Sequence, residues 1–215
     1  MADAQLDLVD ALMARYAAGI LPEPARVLVE AHLEMTSINR SRVLDFETAA
    51  ADVLDKIEPV ALASRNDVLN AVFAAPPVAV TTNHLQRTTH ALFPPAIRDF
   101  VGFEADDIPW KRKLPGFREY NLGKIDGCDV SFFWIRPGRA VPAHTHQGFE
   151  LSLVLDGAFN DLRGRFGKGD ISVADESIDH RPKAENEVPC IGFAVSDAPL
   201  KLTGAFRQLI GDLIG

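Results

Sequence analysis

The sequence predicts an α+β protein of two domains, a small N-terminal helical bundle followed by an all-β barrel. Three observations carry this. Apolar residues recur with a helical 3.6-residue period from Leu6 to about Ala74. From Ile97 onward the pattern changes to short runs rich in β-branched and aromatic residues, separated by Gly, Pro and Asp-Gly. Between the two regimes, Ala74 to Pro95 holds two Pro-Pro pairs and no period, as a linker does. The division expected is therefore a helical domain over 1–75, a linker over 76–94 and a barrel over 95–215.

In the first region Leu8, Ala11, Leu12, Arg15 and Tyr16 trace one helical face, and Gly19 is placed to end it. Leu21-Pro22-Glu23-Pro24 opens a second helix, because proline is tolerated in a first turn. Its apolar face is Val27, Leu28, Ala31, His32 and Met35, and it ends near Thr36 or Asn39. A third helix runs from Ser41 to about Lys56 with Val43, Phe46, Ala50, Val53, Leu54 and Ile57, and Pro59 stops it. Asn66 or Asp67 is expected to cap a fourth helix reaching Phe73. Leu12, Tyr16, Val27, Leu28, Leu33, Leu44 and Leu54 are the expected core of the bundle.

The strand candidates are Ile97 to Val101, Trp110 to Arg112, Pro115 to Phe117, Val130 to Ile135, Glu150 to Leu155, Asp170 to Val173 and Cys190 to Val195. Leu200 to Ile214 is expected to close the chain with a strand and a short helix. Phe132, Phe133 and Trp134 alternate, so one face packs in the barrel and the other meets the helices or a second subunit. Arg163, Arg165 and Lys168 surround a turn signal and read as a solvated charge cluster, and His84 and His90 as solvated linker residues.

Composition excludes several classes. A formal net charge of -8 without any basic block argues against direct nucleic-acid binding. No apolar run approaches the roughly 20 residues of a membrane span, and the acidic N-terminus lacks the basic start of a signal peptide. A cytoplasmic protein is expected. Cys128 and Cys190 are too few and too far apart for a disulfide framework. Cys190 reads as a buried inert thiol, and Cys128, beside Asp126-Gly127, as a more exposed one.

The chemistry is concentrated in Gly138–Gly157, GRAVPAHTHQGFELSLVLDG. His144 and His146 share a face of a strand, and Glu150 returns to that face if the strand continues. Two imidazoles and a carboxylate suit a divalent transition metal, namely zinc, manganese, iron or nickel. His180, beyond the turn signal at Gly167-Lys168-Gly169-Asp170, is placed to join from another strand.

The spacing Gly138, His144-x-His146, Glu150, Gly157 resembles the first cupin motif at every step. Gly169 and His180 resemble the second, with Asp175 in place of its proline and Ala184 in place of its asparagine. That resemblance implies a double-stranded β-helix, a jelly-roll barrel, in which His144, His146, Glu150 and His180 surround one metal ion, zinc foremost.

At full length the chain resembles the ChrR-type zinc-binding anti-sigma factors. The pattern PGxxxPxHxHxGxE…VLxGxFxD…GD…D…HxP is met by Pro137-Gly138, Pro142, His144, His146, Gly148, Glu150, Val154-Leu155, Gly157, Phe159, Asp161, Gly169-Asp170, Asp175 and His180-Arg181-Pro182. Tyr16 to Gly19 and His32-Leu33 fit the family's N-terminal domain. The resemblance implies a transcriptional regulator whose helices bind an extracytoplasmic-function (ECF) sigma factor and whose barrel senses a chemical or oxidative signal. It also makes a homodimer an expectation.

One departure stands out. The family's N-terminal zinc is held by a CxxC that here reads Thr36 and Asn39, and the N-terminal histidine is replaced by Asp7 or a neighbour. Hydroxyl and amide groups are poor zinc ligands, so that site is expected to be lost, with His32 left as a partly buried residue donating one hydrogen bond. The alternative reading of the chain is a metal-dependent cupin enzyme, a dioxygenase or isomerase. No separate nucleophile or acid–base pair presents itself, and no catalytic residue is assigned.

Overall fold

The helical segments form where apolar stripes and their stop signals coincide. The computed structural model describes residues 2–61, 64–76 and 92–203, with side chains from residue 8 onward. Helix α1 (Ala2–Ala17) is followed by Gly19 in a left-handed conformation, and α2 (Glu23–Met35) starts behind Pro22 with Pro24 in its first turn. Helix α3 (Arg40–Leu54) follows Asn39 at φ 70°, and α4 (Arg65–Ala74) is capped by Ser64, whose hydroxyl accepts from Asp67 N at 3.3 Å. The cap is thus one turn earlier than Asn66 or Asp67. The stretch beginning at Ile97 is a helix, α5 (Pro95–Val101), rather than a strand. A proline in the first turn and Gly102 at φ 74° bound it, which outweighs its apolar run.

Eleven strands occur among the described residues: β1 (Lys111–Leu114), β2 (Phe117–Ile125), β3 (Cys128–Ile135), β4 (His144–His146), β5 (Glu150–Asp156), β6 (Ala158–Asp161), β7 (Gly164–Gly167), β8 (Ile171–Ala174), β9 (Lys183–Ala184), β10 (Cys190–Ser196) and β11 (Leu200–Leu202). An antiparallel six-stranded sheet has the order β1-β2-β3-β10-β5-β8, and two small sheets, β11-β4 and β7-β6-β9, complete the barrel. Strand β2, FREYNLGKI, carried too few apolar residues to be read from sequence; its pairing with β3 along the whole length holds it. The expected closing helix before Ile214, and His84 and His90, lie outside the described residues.

The β5 and β8 side of the large sheet is buried on both faces, which explains the nearly continuous burial of these strands, whereas β1 and β2 are partly exposed. The outer face of the sheet, with Val130 and Phe132 of β3, Leu151, Leu153 and Leu155 of β5 and Phe193 of β10, shares one apolar cluster with Leu12, Met13, Leu28, Val29, Phe93 and Ile97. Phe132 sits at the centre, stacked on Phe93 at 4.8 Å and tilted against Phe193 at 5.1 Å between centroids. Its neighbour Phe133 points the other way, into the barrel, as the alternation required. Helices α1, α2 and α5 therefore pack directly on the barrel wall.

The third and fourth helices differ. Of α3 only Val43 is buried, and none of the described residues of α4 is. Leu44 and Leu54, expected in the bundle core, are 60% and 66% exposed. Helix α3 packs on α1, with Val43 and Phe46 in the shared apolar cluster and Arg42 paired with Asp10, while its other apolar residues stay exposed and, among the described residues, none of α4 joins the core. Cys128 is also corrected: it is buried, since β3 turns it to the helix-covered face. Cys190 is buried as expected, and burial pushes its thiol up to about 12.

Candidate metal centre

Strand β4 alternates buried, intermediate and buried, so His144 and His146 both face inward. His144 also exchanges two backbone hydrogen bonds with His180, both 3.0 Å, which brings the second motif against the first. Glu150 arrives differently from the single continuous strand anticipated. The chain breaks after His146, turns through Gln147-Gly148-Phe149, and Glu150 begins β5 in the other sheet. Gly148 permits this turn: a Cβ there would lie 2.0 Å from Asp197 Oδ1, the acceptor of the Phe149 N–H at 2.8 Å.

The four ligand atoms converge. His144 Nε2 and His146 Nε2 lie 3.0 and 3.3 Å from His180 Nε2, and Glu150 Oε2 lies 3.1 Å from His146 Nε2 and 3.6 Å from His180 Nε2. All four lie within 4.8 Å of one another. Ligands roughly 2.1 Å from a shared ion stand roughly 3.0 to 3.4 Å apart at right or tetrahedral angles, so the spacing suits one ion. The three histidines are almost fully buried. Burial, then the neighbouring His180, lowers the pKa of His144, favouring the neutral, ligating form. Burial pushes the Glu150 carboxyl up, but the hydrogen bond from His146 and the imidazole field prevail and hold it at about 2.

The outer nitrogens fix two of the three rings, those of His144 and His180, while His146 Nδ1 is buried without a hydrogen-bond partner among the described residues. His144 Nδ1 donates to Pro142 O at 2.7 Å, which turns Nε2 inward as the acceptor. His180 Nδ1 lies 3.1 Å from Arg163 Nη2 and 3.4 Å from Asp161 Oδ2; an Nε2 that ligates an ion leaves Nδ1 to carry the proton, for which Asp161 is the acceptor. Asp161 is held in turn by Arg163, whose Nη2 donates to it at 2.5 Å and to Ser172 Oγ at 2.8 Å, while Nη1 donates to Val173 O at 2.6 Å. Arg163 is thus a buried brace, with a side chain 5% exposed, and not the solvated loop residue its neighbours suggested. Asp161 stands in the quoted motif pattern, which was the available signal for it. Replacing it, Asp161→Asn, is expected to weaken metal affinity by roughly 10 to 100-fold, measured by chelator competition, because His180 loses the charged acceptor that orients it and raises its basicity.

His32 sits far from this cluster and is almost fully buried. Its Nδ1 donates to Gly169 O across the helix–sheet boundary at 2.6 Å, and Asn39 Nδ2 donates to its Nε2 at 3.1 Å. The ring therefore makes two hydrogen bonds where one was expected. Thr36, at the other former cysteine position, packs its methyl on Gly169: a Cβ there would lie 3.3 Å from Thr36 Cγ2. With an amide donor on Nε2 and a methyl beside it, these residues do not fit a zinc ion. Asp7 lies outside the described side chains.

Burial lowers the His32 pKa more than its hydrogen bonds raise it. A depressed folded pKa means the unfolded chain binds the proton first, so stability is full above about pH 6.5 and falls as the pH drops. Urea melts at pH 7.5 and 5.5 are expected to show this loss. His32→Phe is expected to flatten the slope and to cost about 1 to 3 kcal/mol at pH 7.5, because Gly169 O is left buried and unpaired.

A barrel of this topology with three histidines and a carboxylate turned inward defines a cupin. The model of the ChrR cupin-like domain matches residues 99–198. Over 201 residues, 94% of this chain and 93% of the relative, the sequence is 34% identical to the anti-sigma-E factor ChrR of Cereibacter sphaeroides. A crystal structure of Rhodobacter sphaeroides SigE in complex with the anti-sigma ChrR matches with a TM-score of 0.70 and 34% identity, covering 87% of this chain and 96% of that one. The chain belongs to the ChrR family. Among the described residues no helix is long and apolar enough to cross a membrane.

Proposed function

We propose that this chain is an anti-sigma regulator of the cytoplasm, in which residues 1–75 dock an ECF-type sigma factor, 76–94 link, and 95–215 sense a chemical or oxidative signal. The observation that carries the reading is the set of apolar side chains left exposed on and beside α3 and α4 among the described residues, in a chain similar over 94% of its length to an anti-sigma factor. Val53, Leu54, Ile57, Val68, Leu69, Val72 and Phe73 are all exposed there. A surface of this kind is typical of a partner site. His144, His146, Glu150 and His180 would hold one divalent metal ion, zinc foremost and manganese, iron or nickel next. The ion would supply a fixed charge and a Lewis acid at the cavity floor.

Co-expression with an ECF sigma factor from the same genome tests the reading. The expected result is a stable one-to-one complex containing one metal ion per chain. Recovery of the sigma factor alone, or a homodimer of this chain burying the same surface, would replace it.

A further inference from the structure

Beside the histidine cluster the barrel holds a half-open cavity of about 420 Å³. That is within the roughly 300–1,000 Å³ of small-molecule sites. Two features define what fits. The first is shape. In one register row across four strands stand Ser131, Ala194, Ser152 and Ser172, all lining the cavity. One step along, Phe133 and Ile135 join Leu114, Phe117, Val141 and Phe159 as apolar walls. The small row opens the space, and the walls offer hydrocarbon contact with a few hydroxyls.

The second is charge. His144, Glu150 and His180 line the same cavity. A divalent ion held by three neutral imidazoles and one carboxylate leaves one positive charge in an apolar chamber, where it is poorly screened. Among the described residues the cavity's other charged groups, Lys113 and Glu119, neutralise each other at 2.9 Å. One negative charge is missing.

We infer that the cavity binds a compact monoanion, a small carboxylic acid with an apolar ring or branched body, its carboxylate at the His144/His180 end and its body along Phe117, Phe133 and Phe159. This rests on the metal-site reading above and names the class of molecule that would reach the sensing barrel. A dianion would overcompensate the charge and expose a second carboxylate to apolar walls, and a neutral molecule would leave the charge unmet.

Benzoate and cyclohexanecarboxylate, with succinate and cyclohexanol as controls, test this on full-length protein whose metal content has been measured. Near-saturating benzoate or cyclohexanecarboxylate is expected to raise the melting temperature of the metal-loaded chain by about 5–10 °C, and the controls by far less. Ser131→Leu, which fills the cavity from a strand that carries none of the four cluster residues, is expected to keep the metal and lose the shift. Phe133→Ala is expected to extend the response to bulkier 4-substituted benzoates. Metal-loaded protein that shows no shift, or a shift that survives Ser131→Leu, overturns the ligand class and leaves the metal site standing. A chain that takes up no divalent metal overturns both.

Discussion

Ile57→Asp combined with Phe73→Asp should abolish capture of the sigma factor while leaving the melting temperature of the free chain unchanged. Both residues are largely exposed, at 60% and 81%, so neither substitution opens a cavity or buries a charge in the free protein. In a complex the same positions would be desolvated. Truncating a central aromatic anchor costs about 2 kcal/mol or more, and a buried unpaired carboxylate adds its own penalty. The expected weakening is at least about 100-fold, read by titration calorimetry or by loss of co-purification. Unchanged binding would move the docking surface elsewhere and remove the explanation for the exposed apolar residues of α3 and α4. Phe132→Ala is the contrasting control. Phe132 is fully buried between Phe93 and Phe193, so this change should lower stability by about 3–5 kcal/mol.

The second large effect is expected at the cluster. His146→Ala should reduce metal content from one ion per chain to nearly none after dialysis against a mild chelator. A four-ligand zinc site is worth about 10–16 kcal/mol, so one ligand accounts for roughly 2.5–4 and its loss for about 100-fold or more in affinity. His146 is 3% exposed and its Nε2 lies 3.1 Å from Glu150 Oε2 and 3.3 Å from His180 Nε2, so water does not readily take its place. Stripping the ion from the intact protein should also lower its stability, because three inward lone pairs and a carboxylate are then left close together. Metal analysis and thermal melts of the loaded and stripped chains measure both. Full occupancy in His146→Ala would mean that the four residues do not form the site. Because protons compete for the same nitrogens, metal retention should fall as the pH drops, and burial, which favours neutral His144, should delay that loss to below the ordinary imidazole range of about 6.5.

Much of the barrel was legible in the sequence because it depends on short-range regularities. The 2-residue period puts His144 and His146 on one face of β4, and it separates Phe132 on the helix side from Phe133 on the cavity side. Proline and glycine punctuation located α1 and α2 for the same reason. Local reading failed where a residue's environment is supplied by distant chain. Ile97 to Val101 reads as a strand by apolar content, but it is a helix that packs against α2 and the sheet. Arg163 looks solvated by its neighbours in sequence, but Ser172, Val173 and Asp161 enclose it.

The sequence by itself determined the ligand types, the shared face of His144 and His146 and the absence of thiolates at positions 36 and 39, since each is a matter of residue identity and spacing. Only the tertiary structure decided that Glu150 enters from a second sheet, that His180 pairs with His144 from 36 positions away, and that His32 reaches Gly169 across 137 residues. It also decided that α1, α2 and α5 cover the barrel, that α3 packs on α1, and that most of α3 and all of the described α4 stay exposed. The physical reason is that an amphipathic pattern specifies a face to be buried but not what buries it. That choice depends on packing the whole chain into one core, where apolar area, and not local propensity, contributes most of the free energy.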